Sequence, residues 1–408
     1  MLNYYNIILY LNILSIPVNT FLYQGKIEID NLSRKKKSVV QTKFKWKLPI
    51  KYFIHYFLYE RKAIYEAIKR IENKTCIKFK EHYWYIKGTS GFNFIPTYTA
   101  CFSPYGPKLD DESFENNIFV APRCQNSVGL VEGLIGTMIG LIYEVGRYDR
   151  DSYVNINYEN MLARVDNLFK KHNLSETETY GTEYDFLSAL QYFPKNFSKN
   201  GKPVVEPKDF FKYYQNSIGQ TKGLSFNDYK VLTLKYCHEK IHYNCKNGGY
   251  TDVNYAYKGF YDWGDCICPS GFSGSTCEEN VRNDRTCGET VLDESSIGKM
   301  IYASRTGKCS YFIKFQRPLK VKLTIIEIST KTNEYCSPGI GIEIKFRKDK
   351  GAGGACLCGK YKNITITSEN NFMVIIYNGL SSNDKFTATF DKVLRESSGK
   401  KINKFKKN

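Results

Sequence analysis

The chain begins with an apolar stretch, and its first periodic pattern follows about forty residues later. Residues 1–23 are mostly apolar but are interrupted by Asn12 and Pro17. The stretch is too short and broken for a comfortable membrane span and is typical of a secretory signal, with an uncleaved anchor or a buried strand as alternatives. No later segment has 18 uncharged apolar residues in a row, so we expect no membrane span in the mature chain.

Residues 44–79 predict a strand followed by a helix. In the second part of this segment, apolar residues recur with the spacing of one helical face. They are Ala63, Ile64, Ala67, Ile68 and Ile71. Further along, residues 131–154 read as a buried helix that runs into a charged turn, "RYDRD".

Composition narrows the class and the compartment. With 408 residues, of which 42% are hydrophobic and 15% aromatic, the chain is long enough for two or three packed domains. Thirteen cysteines behind a predicted signal indicate disulfide bonds and one thiol left over, because the secretory route is oxidising. N-glycosylation sequons also fit a secreted glycoprotein, and they lie at Asn31, Asn73, Asn173, Asn196 and Asn363.

The formal net charge of +18 favours weak association with polyanions such as anionic glycans. Much of this charge lies in two runs. The tail, 394–408, is expected to be solvated and is a candidate glycan-binding segment. The "RKKK" run at 34–37 precedes the first folded pattern, which favours a processing site. No phosphate-binding glycine loop, Ser-His-Asp order or nucleic-acid module is evident, so we expect no nucleic-acid partner.

Motifs spread in order over nearly 200 residues resemble the astacin metalloproteases. The opening of that family runs from a tryptophan and a proline through a strand to a helix that ends in Thr-Cys. The matching residues are Trp46, Pro49, Ile71, Glu72, Thr75 and Cys76. The match continues through "EVGRYDRDSYVNINYENM" from Glu144, a segment from Tyr184, and "SIGQTKGLSFNDYKVLTLKYC". The resemblance implies an α+β metzincin fold, with a twisted sheet and long helices, a cleft, and a less regular second half.

Two further resemblances follow. The Asn-Gly-Gly turn and the "CICPSGF" ending resemble a small, disulfide-rich EGF-like module, and the later cysteine spacing with "CGKY" and "KFTATF" resembles an all-β CUB sandwich. We therefore expect a signal peptide (1–20), a pro-segment (21–37), a peptidase-like domain (38–237), an EGF-like module (238–279), a CUB-like domain (287–393) and the tail.

These resemblances also imply six disulfide bonds. The pairs are Cys76–Cys237, Cys101–Cys124, Cys245–Cys266, Cys268–Cys277, Cys287–Cys309 and Cys336–Cys358. Cys356 is then the unpaired thiol, although Cys356 and Cys358 can exchange roles. The two Cys-x-Cys pairs can also be read as zinc-thiolate ligands, but an oxidising compartment favours disulfides.

Active astacins share the motif HExxHxxGFxHExxR, in which three histidines hold zinc and a glutamate acts as general base. Counted back from Arg147, these four positions are Gly133, Leu134, Thr137 and Tyr143. Between residues 133 and 143 only the motif glycine, Gly140, is kept. The ligand positions offer a hydrogen atom, an alcohol and a phenol, and Leu134 cannot accept a proton. We therefore expect no zinc, against one ion per chain in the family, and no peptide hydrolysis.

The frame around the lost site is kept. Glu144 matches the family position that receives the mature N-terminus in a buried ion pair, and Arg147 keeps the charged turn. Tyr192 matches a tyrosine that the family places near zinc, and here we expect it to be packed. Leu190 replaces the methionine expected beneath the metal at little cost in apolar volume. Asp30 is the one pro-segment aspartate and lacks the family's latch motif.

A second zinc-like pattern occurs at 237–242. His238, Glu239 and His242 satisfy HExxH. The Asn-Gly-Gly turn at 247–249 ends any helix soon afterwards and no third histidine follows, so we expect a surface linker, with an incidental metal site as the alternative.

Three functions are compatible with these observations. The favoured hypothesis is a secreted, catalytically inactive astacin homologue that binds an extracellular protein, peptide or glycan. The alternatives are an active zinc endopeptidase with an atypical site and a polyanion-binding component of the extracellular matrix.

Overall fold

The structure is a computed structural model that describes residues 45–107, 114–240, 244–254, 265–333 and 335–394. The predicted signal peptide, pro-segment and basic tail lie outside these residues, and so do Asp30 and Asn31. No helix among the residues described is long and apolar enough to cross a bilayer.

A parallel sheet forms the first half of the peptidase-like domain. Its strands are β1 (Ile50–Ile54), β2 (Phe79–Glu81), β3 (Phe92–Pro96) and β4 (Asn117–Val120), in the order β2-β1-β3-β4. Ile50, Tyr52 and Ile54 are buried. Because side chains alternate across a strand, Lys51 and Phe53 lie on the opposite, outer face.

Helices cover the inner face of this sheet. They are α1 (Lys62–Lys74), α2 (Pro122–Gln125), α3 (Val128–Met138) and α4 (Phe226–Tyr236). The five apolar residues that predicted α1 are all buried, so its predicted inward face is confirmed. The second predicted helix was too long, because α3 ends at Met138. Gly140 has a φ of +105°, which a helix cannot contain, and the charged turn lies in short 3₁₀ turns beyond it.

The second half of this domain is less regular. Its short antiparallel ribbon consists of β5 (Val154–Ile156) and β6 (Val205–Pro207), and 3₁₀ turns connect most of the remainder. Aromatic side chains fill its core, among them Phe169, Tyr184, Phe186, Tyr192 and Tyr214.

A small module and a sandwich follow. The module contains β7 (Tyr250–Thr251), β8 (Cys266–Ile267), β9 (Phe272–Ser273) and β10 (Glu279–Asn280). One sandwich sheet has the order β11 (Val291–Leu292), β13 (Gly307–Lys314), β18 (Phe372–Gly379), β15 (Gly341–Lys345) and β16 (Ala355–Leu357). The other has the order β12 (Ile301–Ser304), β19 (Lys385–Leu394), β14 (Leu319–Ser329) and β17 (Lys360–Thr367). The predicted α+β domain followed by an all-β sandwich is thus confirmed.

Each of these parts contains two disulfide bonds. They are Cys76–Cys237, Cys101–Cys124, Cys245–Cys266, Cys268–Cys277, Cys287–Cys309 and Cys336–Cys358. The thirteenth cysteine, Cys356, is a buried thiol. Burial raises its pKa well above the ordinary value, which keeps the thiol protonated and unreactive.

The sandwich packs directly on the second half of the peptidase-like domain. Its loop between β15 and β16 places Arg347 in a cage of three rings, with Cζ 5.2 Å from the ring centroid of Tyr153, 5.4 Å from Phe211 and 5.7 Å from Phe186. One arm of the guanidinium binds Glu183 Oε2 at 2.8 Å. The contact between domains is therefore built around one buried cation.

Hydrogen bonds extend this contact on either side of the cage. The Tyr214 hydroxyl donates to the Gly353 carbonyl at 2.9 Å, and the Gly353 N–H donates to Asp185 at 3.2 Å. The Ser217 hydroxyl donates to the Cys356 carbonyl at 3.1 Å. This network fixes the sandwich next to the loop that leads to Leu190.

Candidate functional site

The four positions assigned to zinc and the general base lie on α3 and in the loop that follows it. Gly133, Leu134 and Thr137 are buried within the helix. The Thr137 hydroxyl donates to the Gly133 carbonyl one turn earlier, at 3.0 Å, so this oxygen is already engaged within the helix. Tyr143 lies beyond the helix end and is half-buried.

Gly133 faces the loop that contains Leu190. A Cβ built at this glycine would lie 3.7 Å from the Ala189 Cβ and 3.9 Å from a methyl carbon of Leu190, which are ordinary van der Waals distances. Leu190 itself is buried, and its carbonyl accepts a hydrogen bond from the Glu144 N–H at 2.9 Å. The first ligand position is therefore next to apolar groups and has space for a small side chain.

An aromatic cluster occupies the place of the third ligand. Tyr143 stacks on Tyr192, with ring centroids 4.3 Å apart and 24° between the planes. Tyr192 also contacts Phe169 and Phe197, each at 5.3 Å. Tyr105 approaches Tyr143 edge-on at 6.3 Å. We call Tyr105, Tyr143, Tyr192, Phe169 and Phe197 the tyrosine cluster.

Tyr105 was not predicted as a site residue. It comes from residues 103–107, which are held against α3 because the Gly106 N–H donates to the Thr137 carbonyl at 3.1 Å. Just before it, Phe102 forms an antiparallel bridge with Phe119 on β4. The ring also lies edge-on to His172 at 6.1 Å. A single tyrosine in a loop has no periodic pattern, and the segment was marked in the sequence through the resemblance of "ACFSPYG", residues 100–106, to the family.

Burial controls the ionisation of these phenols. It raises the pKa of Tyr143 to about 12 and raises the pKa values of Tyr105 and Tyr192 further. All three therefore carry their protons at physiological pH. A phenol must lose its proton to become a strong metal ligand, and the apolar surroundings oppose that loss.

The residues present do not fit a catalytic zinc site. Such a site needs about three nitrogen, oxygen or sulfur donors at roughly 2 Å and a bound water. The three ligand positions provide no side chain, an engaged hydroxyl and a protonated phenol. Within the described part of the chain, no group of three or more His, Cys, Asp or Glu side chains is arranged to hold a metal ion. Leu134, at the general-base position, is apolar and buried.

The first two residues of the second HExxH pattern do not continue α4. α4 ends at Tyr236, and His238 and Glu239 lie in a separate 3₁₀ turn with both side chains exposed. Their nearest nitrogen and oxygen are 3.9 Å apart. His242 lies outside the described residues.

The retained charged frame is buried beside the tyrosine cluster. Glu144 Oε2 lies 3.6 Å from Arg147 Nε and accepts a hydrogen bond from the Asp185 N–H at 3.1 Å. Burial raises the pKa of Glu144 to about 8, although Arg147 opposes the rise. Arg147 also binds both oxygens of Asp149 at 2.9 Å and the Thr182 carbonyl at 3.0 Å. The Glu144 and Arg147 side chains therefore help to fix the loop after α3, together with the backbone hydrogen bond from the Glu144 N–H to the Leu190 carbonyl.

A cavity of about 20 Å³ lies within this frame. Glu144, Arg147 and Asp228 contribute to its wall. Burial raises the pKa of Asp228 to about 6, and the Ser188 hydroxyl donates to its carboxyl at 2.9 Å. A space of this volume holds about one water molecule.

Comparisons with known proteins agree with the motifs. The family model described as "Astacin", a family of peptidases, matches residues 38–237. The zinc metalloproteinase nas-34 of Caenorhabditis elegans is 29% identical over 342 residues, which are 83% of this chain and 54% of that protein. The chain spans about half the length of the curated relatives it matches.

Two solved structures are similar to different parts of the chain. The hatching enzyme zinc-protease HCE-1 of the medaka Oryzias latipes is 26% identical with a TM-score of 0.40, and the match covers 47% of this chain and 92% of that one. The Ca²⁺-bound CUB2 domain of MASP-1 is 15% identical with a TM-score of 0.19, over 26% of this chain and 98% of that one.

Proposed function

Because residues 38–237 belong to the astacin family of peptidases, we propose that this protein is a secreted, catalytically inactive member of that family that acts by binding. The observation that carries the proposal is the tyrosine cluster, which stands where the family places its metal. Tyr143 and Tyr192 are packed face to face there. This packing supports a hydrophobic core in place of the family's metal centre.

Two separate losses support inactivity. Without three donors the helix has no means of holding zinc, and so the water that zinc would acidify is not activated. Without a carboxylate at Leu134, the general base is also missing, which alone lowers the rate by roughly 10²- to 10⁴-fold. Either loss is enough to remove physiological peptidase activity.

The remaining structure supports a binding role. Six disulfide bonds are typical of a protein that works outside the cell. The sandwich docks on the peptidase-like domain through Arg347 and presents both domains as one surface. Because Tyr105, Tyr143 and Tyr192 pack together at the former ligand position, the ligand is expected on the outside of the molecule.

Metal analysis of the secreted, disulfide-intact protein tests this proposal. After equilibration with zinc and removal of excess ion, we expect no stoichiometric zinc by plasma mass spectrometry. We also expect no chelator-sensitive cleavage of a peptide library. One zinc ion per chain together with chelator-sensitive cleavage would overturn the proposal.

Reinstalling the family residues tests the same reasoning in reverse. A variant with Gly133→His, Leu134→Glu, Thr137→His and Tyr143→His restores the donors and the base, but Tyr105 still lies over the centre. Adding Tyr105→Ala opens it, so we expect zinc binding to improve with this fifth change. The matched control carries the same substitutions except Leu134→Glu. It should bind zinc without cleaving peptides, because it lacks the general base. Equal zinc binding with and without Tyr105→Ala would show that this ring does not occlude the centre.

A further inference from the structure

The outer face of the parallel sheet carries an exposed row of aromatic rings. Phe57, Tyr56, His55, Phe53 and Tyr85 follow one another with ring centroids 4.6, 4.3, 6.4 and 6.0 Å apart. Tyr56 is 64% exposed and Phe57 is 56% exposed. We call these five residues the aromatic row. Exposed apolar patches of this kind mark interaction sites far more often than isolated surface rings do.

The fold holds the row in place. Phe53 points outward because its neighbours on β1 face the helices, and His55–Phe57 continue from the end of that strand. The Phe57 N–H donates to His55 Nδ1 at 3.3 Å. At the other end, the Tyr85 hydroxyl donates to the Glu115 carboxylate and lies 3.2 Å from the side-chain oxygen Oδ1 of Asn117. These contacts order the row before any ligand arrives, which lowers the entropic cost of binding.

Two lysines flank the row without carboxylate partners. Lys51 lies on the same face of β1 as Phe53, and Lys80 is its register partner on β2. Neither forms an ion pair with any residue that the structure describes, whereas nearby Lys87 lies 3.6 Å from Glu115. Like charges at paired strand positions repel each other. An anionic ligand across both lysines would remove that repulsion.

The loop after β2 enlarges the surface. Tyr83 and Trp84 are 93% and 77% exposed, and they follow Lys80 by three and four residues. Such rings offer flat apolar faces to which polar ligands with apolar sides can stack. The surface therefore combines stacking groups with unpaired positive charge.

We infer that the aromatic row, with Lys51 and Lys80, binds an acidic polysaccharide. Sugar rings have apolar faces that stack on aromatic rings, and their sulfate or carboxylate groups pair with lysine. Because Phe57 also lies 5.3 Å from His55, the row extends for at most about 18 Å from Phe57 to Tyr85, an upper limit that corresponds to a short segment of a sugar chain. His55, Tyr56 and Phe57 contact one another at the end of β1, and Phe53 and Tyr85 continue the aromatic surface from there along the sheet face, which suits an extended ligand.

This inference deepens the proposed binding role but does not depend on the loss of zinc. It also differs from binding through the basic tail, because it assigns affinity to the folded sheet. The zinc assay can therefore refute the proposed loss of zinc without affecting this inference, and the polysaccharide-binding assay can refute this inference without affecting the proposed loss of zinc.

Heparin binding by the full-length secreted protein tests the inference. Dissociation constants are measured over a range of NaCl concentrations for wild type and two variants. Lys51→Gln with Lys80→Gln removes two charge contacts, so the slope of log K against log salt should become less steep by about two. Tyr56→Ser with Phe57→Ser removes stacking, so affinity should fall by about tenfold or more with the slope unchanged.

Two matched variants make the test selective. Lys314→Gln with Lys322→Gln makes the same charge change at exposed positions on β13 and β14 of the sandwich, and it should leave the binding near wild type. Deletion of 395–408 should leave the effects of the row variants intact. Thermal melts and circular dichroism confirm that each variant is folded.

Several results would overturn the inference. One is that the sandwich control loses as much heparin affinity as the lysine variant of the row. Another is that deletion of the tail abolishes heparin binding completely. A third is that the row variants bind heparin with wild-type affinity. Binding to phosphatidylserine vesicles or to single-stranded oligonucleotides, but not to heparin, would also overturn it and would identify a different ligand class for this face.

Discussion

Replacing Arg347 by alanine should loosen the contact between the sandwich and the peptidase-like domain. The guanidinium is fully buried in its aromatic cage, where it binds Glu183 at 2.8 Å and donates to the Tyr184 carbonyl. Alanine removes the cation and leaves the carboxylate of Glu183, and that of Glu369 at 3.8 Å, without this partner. It also leaves an empty space between Tyr153, Phe186 and Phe211.

The expected loss is about 3–5 kcal/mol of the free energy of unfolding, the usual cost of breaking a buried ion pair by removing one partner. Loss of the cage contacts adds to this cost, because a desolvated cation–aromatic contact contributes about 0.5–2 kcal/mol. Burial already raises the pKa of Glu183, and Arg347 lowers it. Without Arg347 the carboxyl prefers its proton more strongly, so the loss should be larger at pH 8 than at pH 5.

Urea unfolding of the disulfide-intact protein measures this change, together with hydrogen exchange of peptides that contain residues 183–187 and β16. We expect a lower midpoint, separate transitions for the two domains and faster exchange in both peptides. Arg347→Met with Glu183→Gln removes both charges and should recover most of the loss. Arg347→Lys keeps the charge without the planar group and should lie between these values.

The reasoning is refuted if Arg347→Ala costs less than about 1 kcal/mol and leaves exchange at 183–187 unchanged, since a change of that size is ordinary for a surface position. It is also refuted if the doubly neutral variant is no more stable than the alanine variant.

Three other predictions follow from buried groups. The pKa of Glu132 is raised to about 7 by burial, against the opposing effects of Tyr229 and Arg70. Folding therefore takes up a proton between pH 4.5 and 7, and the free energy of unfolding falls as pH rises through that window. Glu132→Gln removes this titration, so it should flatten the pH dependence of the urea midpoint. Cys356 should resist a thiol reagent in the native protein and react once per chain after denaturation. Gly140→Ala should cost about 1–2 kcal/mol in the same unfolding assay, because Gly140 has a left-handed backbone. The cost is larger if the new methyl, which would lie 2.5 Å from the Lys235 amine, displaces that amine. An unchanged midpoint would contradict this.

The sequence predicted correctly those features that depend on periodic spacing or on family motifs in a fixed order. The inward face of α1 follows from its apolar spacing, and the order of domains follows from motifs that occur in sequence. The end of α3 was placed too late, because the apolar run continues past Gly140 into Leu141 and Ile142. Their side chains are buried, so hydrophobicity alone does not distinguish a buried loop from a helix.

Single residues with distant partners could not be predicted. Arg347 has the sequence appearance of a solvated loop charge, and its cage is assembled from residues more than 130 positions away. Tyr105 likewise reaches its place only because residues 103–107 fold back onto α3. Such contacts depend on tertiary structure, and no local spacing encodes them.

The persistence of the frame has a physical explanation that does not involve catalysis. In the family, a metal held by three histidines joins the long helix to the loop beyond it, and a bound metal contributes to folding. Here the stack of Tyr143 on Tyr192 joins the loop after α3 to the segment that contains Leu190, and an aromatic pair contributes about 0.5–1.5 kcal/mol beyond its buried area. Glu144 and Arg147 still hold the loop that presents Tyr143, so losing either would expose the cluster. The charged turn therefore has a structural role in holding this loop, and that role does not require a metal or a general base.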